Sequence, residues 1–121
     1  MKKATVALMV VLGLTIAAPQ VAQAVAPRRQ VAATLMTFLP ADVTVTAGQT
    51  VDFANTDAWP HGVLSSDVDP VTRLPLFDSG LVSTGGVATV AGVERLAPRA
   101  EAYRYRCSLH PGMTGRIFVT P

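Results

Sequence analysis

An all-β domain of about eight short strands, closed as a β-sandwich or a barrel, is what this sequence predicts. Three observations carry that expectation. Apolar and polar residues alternate with a period of two in short runs such as Val43–Thr46, Thr50–Ala54 and Glu101–Cys107. Gly, Pro and Asn punctuate the chain between such runs, as tight turns require. Beyond residue 24, no segment sustains an apolar period of 3.6 residues, so nothing reads as an amphipathic helix.

The opening of the chain reads as a targeting segment. Lys2 and Lys3 precede an apolar run from Ala4 to Ala18, and Ala22-Gln23-Ala24 has the small-x-small form of a signal peptidase site. The run is shorter than the roughly 20 residues a membrane span needs. The expectation is a signal peptide over residues 1–24, general export, and a mature protein in the periplasm or at the cell exterior; retained, the same segment would act as an anchor. Both lysines fall in this leader, which leaves eight arginines against eight carboxylates and a formal charge of zero. The basic balance of the precursor therefore says nothing about nucleic acid, and no basic run suggests it.

Residues 25–30, with Arg28 and Arg29, are expected to form a flexible tail, and residues 31–121 one compact domain. Val31–Leu39 is rich in β-formers and ends at Pro40. Val43–Thr46 and Thr50–Ala54 flank the turn Ala47–Gln49 as two half-buried strands, not necessarily a hairpin. Asn55–Asp57 breaks the alternation, and Val63-Leu64 starts a short strand after Trp59-Pro60-His61. Ser65–Pro75 reads as a loop. Leu81-Val82 reads as a short extended piece between the turns Phe77–Gly80 and Gly85-Gly86. Val87–Leu96 alternates loosely, with Gly92 as a bend. In Glu101–Cys107, Tyr103, Tyr105 and Cys107 share one face while Ala102, Arg104 and Arg106 share the other. Ser108–Gly115 is a loop, and Arg116–Thr120 closes the domain.

The chain has a single cysteine, Cys107, and no internal disulfide is possible. A lone cysteine in an exported domain needs another explanation, and its neighbours supply one. His110 and Met113 follow at three-residue intervals, on a loop that Pro111 and Gly112 turn tightly. A thiolate at a strand end, with an imidazole and a thioether on the next loop, is a soft donor set that favours copper. The one other histidine, His61, supplies a second imidazole. Two imidazoles and a thiolate in a plane, with a weak axial thioether, is the donor set of blue-copper electron transfer. His61, Cys107, His110 and Met113 are therefore the expected metal ligands. Met36, the other methionine beyond the leader, lies in an alternating run and is expected to fill the core.

The stretch Tyr105-x-Cys107-x-x-His110-x-x-Met113-x-Gly115-x-Ile117-x-Val119, with Gly48-x-x-Val51-x-Phe53-x-Asn55 and Trp59-Pro60-His61 upstream, resembles the small blue copper proteins. These are the cupredoxins of the plastocyanin, pseudoazurin and amicyanin group, and the two-residue gap between His110 and Met113 is most similar to amicyanin. The resemblance spans roughly residues 40–120, weakly between 65 and 100. It implies a Greek-key β-sandwich, one mononuclear type 1 copper cycling between Cu(I) and Cu(II), and a monomeric electron carrier with no enzymatic activity. It also implies that His110 reaches the surface through an apolar patch of Trp59, Pro60, Leu109, Pro111 and Gly112, where protein redox partners dock. Two features depart from the family pattern. Gly62 stands where an asparagine usually ties the ligand loops together, and Arg99–Tyr103 lacks the usual glycine turn.

Asn55 is expected to pin the His61 loop, and backbone N–H groups near Asn55 and in the His110–Met113 loop are candidate donors to the thiolate. Arg104 and Arg106 are expected to be solvated, or to steer an acidic partner. Copper oxidases and nitrite reductases need further histidines, which the chain lacks. A copper chaperone or store, holding Cu(I) alone, is the alternative function. Zinc would take a thiolate and two imidazoles but rarely a thioether.

Overall fold

The computed structural model describes Gly13 and residues 29–121. The rest of the expected signal segment, its cleavage site and residues 25–28 lie outside the described residues. Among the described residues, eight strands form two four-stranded sheets. They are β1 (Arg29–Thr34), β2 (Thr37–Leu39), β3 (Asp42–Thr46), β4 (Val51–Asn55), β5 (Val63–Ser65), β6 (Val87–Thr89), β7 (Tyr103–Cys107) and β8 (Thr114–Thr120). One sheet runs β2-β1-β4-β6 and the other β3-β8-β7-β5. The all-β sandwich is therefore as expected, and it is a sandwich rather than a barrel. Among the described residues, no helix is long and apolar enough to cross a membrane.

Alternation builds both inner faces. In β3, Val43 and Val45 point inward; in β7, Tyr103, Tyr105 and Cys107 do; in β8, Gly115, Ile117 and Val119 do. Val31, Val51 and Phe53 close the core from the opposite sheet. Each large apolar side chain fully buried here contributes about 1.5–3 kcal/mol. Phe38 meets Phe53 and Tyr105 edge-on at centroid distances of 5.9 and 5.0 Å. Tyr105 keeps its hydroxyl partnered, donating to Ala41 O at 2.7 Å, and burial pushes its phenol well above the ordinary range. β3 and β4 flank Gly48, whose φ of 89° turns the chain, yet they belong to different sheets.

Four boundaries differ from expectation. Arg29 and Gln30, expected in the tail, enter β1 by parallel pairing with Val51 and Asp52 of β4. The run Val31–Leu39 is a hairpin of two strands, not one. Thr34 pairs with Thr37, and Leu35 and Met36 form the two-residue turn at φ values of 47° and 60°, the left-handed geometry that the twist of a tight hairpin demands. Met36 is therefore no core residue: it is 42% exposed at the turn. Val87–Leu96 holds only three residues of strand, because Gly92 at φ 109° diverts the chain into the 3₁₀ turn Val93–Arg95. β8 starts at Thr114, two residues early, which shortens the loop after Cys107 to six residues.

Candidate metal centre

Cys107 is the last residue of β7 and faces inward, fully buried. The loop beyond it folds back on its own base. Met113 N donates to His110 O at 2.9 Å, closing a β-turn over Pro111 and Gly112, with proline at the position its locked φ favours. Cys107 N then donates to Met113 O at 2.8 Å. His110 is thus carried at the turn, partly exposed, while Met113 is buried.

His61 lies just before β5, whose Val63 pairs with Cys107 in the same sheet. Its backbone is clamped to Val82 by two hydrogen bonds, at 3.2 and 2.8 Å. Asn55, at the end of β4, holds both halves of that clamp. Its buried Nδ2 donates to Trp59 O and to Val82 O, each at 2.8 Å, and its Oδ1 accepts from Asp57 N at 3.0 Å. Leu81-Val82, expected only as an extended piece, is what the His61 strand end bridges to.

The donors converge. His61 Nδ1 and His110 Nδ1 lie 3.6 and 3.5 Å from Cys107 Sγ, and the two rings stand 4.9 Å apart, tilted by 55°. One atom from each of the three side chains falls within 4.8 Å of the others. The thiol can donate to one imidazole and accept from the other, and a single ion can equally bind all three donors. Bonds of about 2.0 Å to nitrogen and about 2.3 Å to sulfur, at angles near 110–120°, put N and S about 3.5–3.7 Å apart. The observed separations fit such an ion. A thiolate and imidazoles are donors suited to copper.

The orientation of His61 is set from behind. Its Nε2 lies 3.0 Å from Asp57 Oδ2. A carboxylate can only accept, so Nε2 carries the proton and Nδ1 is left as a lone pair facing the sulfur. Asp57 Oδ2 also accepts from Met36 N at 2.8 Å, and Oδ1 from Ala58 N at 2.8 Å. The Met36 amide first, then the His61 ring, holds the Asp57 carboxyl below its usual range. Asp57 was not among the expected site residues. Its one signal in the sequence is its place four residues before His61.

Two other expectations change. The Asn55 and Thr56 amides bond Gly86 O and Ala33 O, and the Met113 amide bonds His110 O; among the described hydrogen bonds, those at Sγ go to the two imidazoles alone. Arg106 is half-buried rather than solvated, and donates to Cys107 O at 3.3 Å. Gly62 has a steric reason. A Cβ there would lie 2.6 Å from Ser108 Oγ and 2.7 Å from Gly80 O. The two ligand loops meet by close approach at this point, with no room for an asparagine.

A model of the copper-binding proteins of the plastocyanin/azurin family matches residues 25–120. The chain belongs to that family. Its cofactor is copper, a metal that the thiolate–imidazole cluster suits. Solved cupredoxins share the fold: a reduced amicyanin variant superposes with a TM-score of 0.61 at 22% identity, covering 77% of this chain and 82% of that one. An oxidised amicyanin variant gives 0.60 at 23%, covering 81% and 87%. No curated protein sequence gives a match.

Proposed function

We propose that this protein is an exported blue-copper electron carrier of the periplasm or cell exterior, with His61, Cys107, His110 and Met113 as the ligands of one type 1 copper. The convergence of both imidazole Nδ1 atoms on Cys107 Sγ, at 3.5 and 3.6 Å, carries the reading. Met113 would supply the thioether donor, since it is buried on the loop whose turn presents His110. Bound copper supplies a one-electron Cu(I)/Cu(II) couple. The residues hold their places through it: Asn55 fixes the His61 clamp, the Cys107–Met113 bond fixes the loop, and neither depends on the charge of the ion. Little has to rearrange when an electron arrives, which is what fast transfer needs.

His110 is the ligand nearest solvent. Leu109, 51% exposed, and exposed Pro111 and Gly112 neighbour it in the chain, and Trp59, 63% exposed, and exposed Pro60 lead into the other imidazole, His61. We assign this apolar rim as the surface on which monomeric carrier and redox partner dock, since an apolar rim gives contact area without holding a complex long. With two histidines and one cysteine in the chain, no second copper centre can be built, so the reading is carrier and not oxidase.

The test is the spectrum of the copper-loaded protein. The expected outcome is an intense thiolate-to-Cu(II) band in the visible, lost in Cys107→Ser, and a reversible one-electron wave. Protein that binds Cu(I) and stays colourless on oxidation would instead be a chaperone or store.

A further inference from the structure

We propose that Asp57 is a positioning residue for the copper site: its carboxylate locks the ring of His61 in the Nε2–H form and keeps a fixed negative charge behind that ring, favouring Cu(II) over Cu(I). The inference rests on the proposal that His61 binds copper through Nδ1.

The geometry separates this role from that of an ordinary turn aspartate. Oδ1 makes the local bond to the next amide, Ala58 N. A turn would need nothing more. Oδ2 points away from the turn and takes two donors from distant places: Met36 N, 21 residues earlier in the chain, at 2.8 Å, and His61 Nε2 at 3.0 Å. The Asp57 side chain is 10% exposed and that of His61 is wholly enclosed, so the bond forms from an imidazole that water does not reach. Among the described residues, no Lys or Arg pairs with Asp57; its one ionic partner is the imidazole. Among those residues no cation cancels the charge, and the imidazole ring separates it from the donor atom facing Cys107. A carboxylate bonded to the far nitrogen of a ligand imidazole fixes its tautomer and raises its basicity. Negative charge close to the ion stabilises the more positive oxidation state. Both effects lower the reduction potential.

Asp57→Asn keeps the shape and an acceptor oxygen but removes the charge; Asp57→Ala removes both. In Asp57→Asn the visible thiolate band should persist, the potential should rise, and Cu(II) affinity should fall relative to Cu(I) by about 10–100-fold. Nitrogen NMR of the metal-free protein gives a second readout that needs no copper. Wild type should show His61 as the Nε2–H tautomer, and Asp57→Ala should show a mixture. A blue Asp57→Asn protein with the wild-type potential and the wild-type Cu(II) to Cu(I) affinity ratio overturns the proposal, as does a wild-type tautomer retained in Asp57→Ala. Wild-type protein lacking the thiolate band overturns the copper reading itself, before any Asp57 variant is compared.

Discussion

At the scale of single residues, the centre depends on one that has no side chain. Gly62 follows the enclosed ligand His61 and lets Ser108, which follows the ligand Cys107, come up against it. The family's usual asparagine at this place would force the two ligand loops apart. Gly62→Asn should therefore destabilise the metal-free protein by about 1–3 kcal/mol, the range for overpacking a filled site, as measured by urea unfolding; equal midpoints would mean that Ser108 simply turns away. Reading residues one at a time also shows where the sequence was informative. Cys107, His110 and His61 stood out because the chain has so few thiols and imidazoles to choose from. Asp57 did not, because a carboxylate in a turn has an ordinary local use, and only folding brings His61 Nε2 and Met36 N to its second oxygen.

At the scale of elements, strands that alternate were legible and junctions that do not were missed. β3, β4 and β7 follow from their pattern of inward residues alone. The β1–β2 hairpin was hidden because its turn residues, Leu35 and Met36, are neither Gly nor Asn, although both lie at positive φ. Left-handed backbone costs an L-residue about 1–2 kcal/mol. The double substitution Leu35→Asn, Met36→Gly should thus raise stability by about 0.5–1 kcal/mol, seen as a higher denaturant midpoint at unchanged slope. The Met36 amide that reaches Asp57 belongs to the backbone, so the substitution should leave the reduction potential where it is. The pairing of β3 with β8 and of β1 with β4, both parallel, was beyond reach of local pattern, since parallel partners are joined only through distant chain.

At the scale of the whole molecule, acid should loosen the sandwich. Arg116 donates to both oxygens of Asp42, at 3.1 and 2.6 Å, tying β8 to β3 across the sheet. That guanidinium holds the Asp42 carboxyl below its usual range, and the Thr72 and Val71 amides do the same for Asp69. A carboxyl depressed in the folded state binds protons less readily there than in the unfolded chain, so the unfolded state gains protons first as pH falls. Stability from both groups is complete above the unfolded pKa near 3.8 and is lost as pH falls through the folded values. Urea midpoints of the metal-free protein should decline below about pH 4, and Asp42→Asn should flatten part of the decline. Both groups are in contact with solvent, so added salt should shrink the Asp42 share. One asymmetry described above reaches beyond electron transfer. His61 and Cys107 are sealed from solvent while His110 is not, so the cell has a single doorway through which to install the metal. On the docking proposed over His110, whatever delivers the ion stands where the redox partner later stands. Maturation and service then take turns at one threshold, and a molecule engaged with its partner is closed to loading, exchange and theft of its metal alike.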